Sequence, residues 1–110
     1  MAIESHDIGT GNTTLFTSNG KNAITTIMIC NKIAFDPLDP AADLTYLDLH
    51  LVANTDGIST TNLVVNQLPV PAGETVTFDT EKIILENGDR IIASSAAPAN
   101  LVATVSSLEV

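Results

Sequence analysis

The sequence predicts an all-β chain: one antiparallel β-sandwich of about eight strands, of jelly-roll or immunoglobulin-like type, filling residues 1–110 as a single domain. Three observations carry this expectation. Apolar residues recur mostly with period two, the spacing of a strand with one buried face. Val, Ile and Thr are abundant while runs of strong helix formers are absent. Clusters of Asn, Asp, Gly and Pro cut the chain into short segments at the spacing of a sandwich.

The elements follow in order. A short strand is expected at 2–5, then strands at 13–17 and 23–31, the second ending in the apolar run Ile27-Met28-Ile29-Cys30. The clearest alternation spans 44–53: Leu47, Leu49, Leu51 and Ala53 point to a core, and Tyr46, Asp48, His50 and Val52 to a largely wet face. Further strands are expected at 62–68, 75–80, 82–85, 90–95 and 101–110. Phe16 and Phe78 read as internal, Phe35 and Tyr46 as external.

The punctuation is turn chemistry, at 18–21, 54–57, 69–73, 86–89 and 97–100. Asn87-Gly88 reads as a tight hairpin turn, a type that needs positive φ angles. Pro69 and Pro71 lack backbone donors and are expected at a corner or crossover between sheets, outside any central ladder. The longest irregular stretch lies between Lys32 and Asp43, long enough to be a candidate for function.

Composition narrows the partners. Thirteen acids against four bases give a net charge of −9, which repels phosphate backbones and anionic lipid. Nucleic acid and membrane are therefore not expected partners. Eight acids and no Lys or Arg lie between Lys32 and Lys82, so one side or end of the molecule should be strongly negative. The start, MAIESHDIGTG, has neither a basic segment nor an apolar run of signal-peptide type, and a soluble, unexported chain is expected. Cys30 is the only cysteine, so no disulfide within the chain is available; amid apolar neighbours it reads as a small buried hydrophobe.

Each constellation that resembles a reactive site has an ordinary reading. Asp36, Asp39 and Asp43 are the one candidate set for Ca²⁺, a cation that takes six to eight oxygens. Their spacing matches no calcium loop, and Asp-Pro pairs commonly start turns. Ser5-His6-Asp7 holds the letters of a hydrolase triad, but neighbours in an extended segment face opposite ways. His50 stands two residues from Asp48 and reads as half of a surface ion pair. Glu86 and Asp89 sit at a turn where nothing would raise a carboxyl pKa. A sugar site is poorly equipped, because the chain has no Trp, one Tyr and three Phe. No catalytic residue and no cofactor is expected, with Ca²⁺ the sole metal considered.

Four stretches then stand in sequence: Ile27-Met28-Ile29-Cys30-Asn31, residues 68–75 (LPVPAGET), residues 82–91 (KIILENGDRI) and residues 105–110 (VSSLEV). Their order resembles the small β-sandwich virion proteins of tailed bacteriophages, including those of marine and cyanobacterial phages, over roughly 23–110. The resemblance implies a non-enzymatic part of the particle, made in the host cytoplasm and residing in the virion. It would decorate the capsid or sit in the neck, tail or fibres. The implied partners are copies of itself and other virion proteins. The loop 36–43 is longer than the family pattern and is a candidate meeting point through Phe35, Asp36, Leu38, Asp39 and Asp43. Leu63 and Val65, on an expected edge strand, are further interface candidates, and 101–110 is a second expected edge. The alternative is an adhesin-like module that recognises a cell-surface glycan or protein, with Ca²⁺ at the three aspartates.

Overall fold

The computed structural model describes residues 2–78, 83–96 and 99–110. Asp79 to Lys82, Ala97 and Pro98 lie outside the described residues, and with them the ends of the strands expected at 75–80 and 82–85 and part of the turn at 97–100.

Nine strands form: β1 (Ala2–Ile8), β2 (Thr13–Thr17), β3 (Asn22–Asn31), β4 (Thr45–Val52), β5 (Leu63–Val70), β6 (Thr75–Phe78), β7 (Ile83–Leu85), β8 (Arg90–Ser95) and β9 (Leu101–Glu109). They make two antiparallel sheets. The first has the order β1-β9-β3-β6, with β7 also on β3; the second has the order β2-β8-β4-β5. Since β6 and β7 occupy one edge position in succession, this is the strand order of a jelly roll, in which the chain changes sheet at most connections.

Inward residues alternate as the pleat requires. From the first sheet Ile27, Ile29, Ala103 and Val105 face Leu47, Leu49, Ile91 and Ala93 of the second, and all are buried. Phe16 is buried and Phe78 packs partly against this core, while Phe35 and Tyr46 are exposed, as their positions predict.

Several expectations are corrected. The strand expected at 2–5 runs to Ile8, because all seven of its residues pair with β9. Strand β9 is consequently not an edge: it lies between β1 and β3. Strand β5 is an edge, and Pro69 lies within it, opposite Tyr46. An edge strand has one row of unpaired backbone groups, so a residue without a donor costs it nothing there. The turn after Val70 does carry the chain from one sheet to the other, with Glu74 N donating to Pro71 O at 3.1 Å and Gly73 at φ +77°.

The turn at 86–89 is no hairpin either. It joins β7 in the first sheet to β8 in the second. Asp89 N donates to Glu86 O at 3.1 Å, and of the two central residues only Gly88 has positive φ, +87°. That combination is a type II turn. An Asn-Gly pair satisfies both turn types, so the dipeptide alone does not choose between them.

Each end of the sandwich is tied by a buried polar side chain. At one end Asn31 donates from Nδ2 to Asp43 O (2.8 Å) and Val70 O (3.0 Å) and accepts from Ile33 N (3.1 Å). Its backbone receives Gly73 N and donates to Glu74 O. One residue thus fixes the 32–44 connection and the 70–74 turn together. At the other end Ser18 Oγ donates to Gly20 O (2.9 Å) and Leu85 O (3.3 Å), and Asn22 Nδ2 donates to Ser18 Oγ at 2.9 Å.

Asn31→Ala strands a buried carbonyl and frees two segments, so it should destabilise the fold by about 2–4 kcal/mol in urea unfolding. Gly88→Ala should cost about 1–3 kcal/mol in the same assay: it forces an L side chain to φ +87° and drives its Cβ into the Asn54 side chain.

Candidate interaction surfaces

The connection 32–44 is built from two consecutive Asp-Pro turns. Asp39 N donates to Asp36 O (3.1 Å) and Ala42 N to Asp39 O (3.0 Å), which puts Pro37 and Pro40 at the second position of each turn, where their fixed φ fits. Asp36 Oδ1 also accepts from Leu38 N at 2.9 Å. Leu38, third in the first turn, is thereby thrust outward and is 94% exposed; Phe35 is exposed beside it. Asp43 takes φ +60°, held by the bond from Asn31 to its carbonyl.

The turn geometry uses Asp36 and Asp39 as starters, the ordinary role of Asp before Pro. Among the described residues no three His, Cys, Asp or Glu side chains gather as a ligand set, so the structure does not bring Asp36, Asp39 and Asp43 into one calcium site.

Among the described residues the acids collect at the two ends of the sandwich, one end being the more negative. Antiparallel strands put successive connections at alternate ends, so both ends receive carboxylates. The end bearing the 32–44 connection holds Asp7, Asp36, Asp39, Asp43 and Glu74 against Lys32, which pairs with Asp7 at 3.4 Å. The opposite end mixes Asp56, Glu86, Asp89 and Glu109 with Lys21 and Arg90; Lys21 meets Glu86 at 3.6 Å. Asp89 is no idle turn carboxylate: it accepts from Asn54 N (3.0 Å) and Glu86 N (2.9 Å), tying the 86–89 turn to the segment after β4.

His50 is corrected in both exposure and partner. It is 8% exposed, and its Nδ1 lies 2.8 Å from Asn62 Oδ1. Asn62 Nδ2 donates to Gly57 O, which orients the amide and requires His50 Nδ1 to carry the proton. Asp48 turns instead to Gln67 N, accepting at 2.7 Å. The face of β4 read as wet is covered near its end: Val52 is buried, and so is Ile92 opposite His50. Segment 53–62 folds back across it, held by Asn62 and by Arg90, whose guanidinium donates to the carbonyls of Ala53 and Asp56. A single 3-10 turn, Thr60–Asn62, completes the cover.

The edge strand β5 is irregular. Its register against β4 shifts on both sides of Leu49, with Gln67 at φ +50°. Val65 turns inward against the core, and Val64 is the exposed neighbour, so of this adjacent pair Val64 and not Val65 faces out. Leu63 is half-buried opposite His50.

In β1, Ser5 and Asp7 face outward and His6 inward, as extended geometry demands. Ser5 Oγ lies 3.3 Å from Thr104 Oγ1, and the Asp7 carboxylate is engaged with Lys32, so the three do not converge. Cys30 is not in the core: it shares the outer side of β3 with Met28 and is half-buried. An apolar cleft of about 250 Å³ opens between the edges of the two sheets, lined by Ile27, Leu49, Leu51, Val65, Phe78 and Ile83 among others. Among the described residues every lining side chain is apolar, and none of them offers a polar group with which to orient a ligand.

The two outer faces of the sandwich differ sharply. That of β2-β8-β4-β5 carries Asp48 and Arg90 and is partly roofed by segment 53–62. That of β1-β9-β3-β6 is bare among the described residues. Ile3, Met28, Ile84 and Leu108 stand on it, 40–70% exposed. Between them lie Thr and Ser side chains, and among the described residues the charges are Asp7 and Lys32, paired with each other at one end.

Comparison with known proteins returned no matching family model, no matching curated protein and no matching solved structure.

If His50 serves the cover and not a reaction, His50→Ala and Asn62→Ala should each destabilise by about 1–2 kcal/mol. A double-mutant cycle should show them coupled by at least about 0.5 kcal/mol. Thermal or urea unfolding of the four proteins measures this.

Proposed function

We propose that the chain is a non-enzymatic structural part of a tailed-phage particle, a capsid decoration or a neck, tail or fibre component, acting by protein contacts. The observation that carries this reading is the outer face of β1-β9-β3-β6, bare and nearly uncharged among the described residues. Depletion of charge, more than apolarity, is the compositional mark of the buried centre of a protein–protein interface. The jelly roll supports it as a prior, since viral capsid domains use that topology, as do lectins and cupins. So do the four motifs that resemble phage virion proteins, three of which contribute strands to this sheet. The exposed Phe35 and Leu38, on a connection held by Asn31, offer a second contact point toward a neighbour.

Particles purified on a density gradient from the producing lysate, followed by quantitative mass spectrometry, test the reading. The chain is expected to co-sediment with particles at many copies per particle. Its confinement to the soluble fraction overturns the assignment, and retention on glycan beads in that case would move it to the adhesin-like class.

A further inference from the structure

We infer that the outer face of β1-β9-β3-β6 is covered by the same face of a second copy, related by a twofold axis. This takes the assembly reading as its ground and names the partner. Three observations lead to it.

Charge comes first. Two chains that each carry −9 repel one another over most approaches. A copy can dock only where its own charge is missing, and among the described residues this face meets that condition. A basic partner would instead be drawn to the acidic end with Asp36, Asp39 and Asp43. A face of Thr, Ser and isolated apolar side chains is matched in polarity by itself, which is what a twofold contact requires.

The second is area. Four strand positions about 4.8 Å apart and nine residues about 3.3 Å apart give a face of roughly 570 Å². Two such faces bury about 1,100 Å², above the roughly 1,000 Å² expected of a specific interface and below the standard size of about 1,600 Å². Sheets pack readily in this manner, about 10 Å apart with strands inclined by about 30°. Met28, central on β3 and opposite Thr104, has the flexible side chain suited to filling the irregular space between two flat faces.

The third is that the rival route, edge pairing, is obstructed at three of the four sheet edges, those of β5, β2 and β1. Strand β5 carries register shifts and Pro69; β2 is bulged between Thr14 and Phe16; β1 carries an exposed Glu4 on the same side of its pleat as His6 and Ile8, a charge that discourages an added strand. Edge-on growth is discouraged at those three edges while the broad face is left open.

Light scattering after size exclusion at about 100 μM should give twice the 11.5 kDa monomer mass. Met28→Asp or Thr104→Lys, each burying an unpaired charge, should weaken the dimer by roughly a hundredfold or more. Their circular dichroism should remain that of the parent, and Tyr46→Lys on the opposite sheet should leave the dimer intact. A parent that is monomeric at this concentration overturns the inference, as does a dimer that survives both face substitutions. These outcomes are read on the isolated chain, so they stand apart from the particle measurement: a dimer absent from particles sinks the virion reading alone, and a monomer found on particles sinks only this one.

Discussion

The buried amide of Asn31 is the constraint on which most of the described surface depends. It sits where the first sheet ends and satisfies backbone groups from two connections that neither sheet could otherwise anchor. Without it, the carbonyl of Val70 would be buried unpaired, and Asp43 would have nothing to hold it in a left-handed conformation. The outward display of Phe35 and Leu38 is therefore a consequence of a hydrogen-bond network in the interior. The Ser18–Asn22 pair performs the same task at the opposite end with smaller reach.

A domain with so few charges on one broad side and so many at its ends has a built-in anisotropy. Acids gather where connections lie, because turns recruit Asp, Asn and Glu for local hydrogen bonds, and jelly-roll connections lie at the two ends. The sheet faces are left to β-branched and hydroxyl residues that the pleat favours. On the second sheet, segment 53–62 and the His50–Asn62 bond remove much of the apolar surface that remains. On the first sheet no such segment exists among the described residues. The asymmetry between the faces thus traces to one long connection, that between β4 and β5.

Much of this was legible in the amino-acid order, and what was not has identifiable causes. Period-two alternation placed β2, β3, β4, β8 and β9 to within two residues at either end, because their inward positions are mostly apolar, with buried polar residues confined near strand ends. It said nothing about which strands are neighbours, so β9 was read as an edge although it is central. Local patterns also miss covers supplied from elsewhere. His50 and Val52 sit at positions that alternation assigns to water, and their burial depends on a segment that returns ten residues later. The inward turn of Val65 and the exposure of Val64 depend on a bulge, which exists only relative to the partner strand β4. Cys30 was misread because an apolar run looks buried on both sides, whereas β3 has one open face. The two Asp-Pro turns of the 32–44 connection are legible in the sequence, since that signal is local.

The central place of β9 has a kinetic corollary. Strands β1 and β3 are never neighbours; each waits for residues 101–109 to fill the gap between them. During synthesis the first sheet cannot close until residues 101–109 have emerged, and β1 spends that interval without its pairing partner. Such a molecule should acquire its tertiary structure late and slowly, as topologies dominated by distant pairings do. Its most aggregation-prone moment is the nascent state, when the strand destined for the middle of the sheet has yet to arrive.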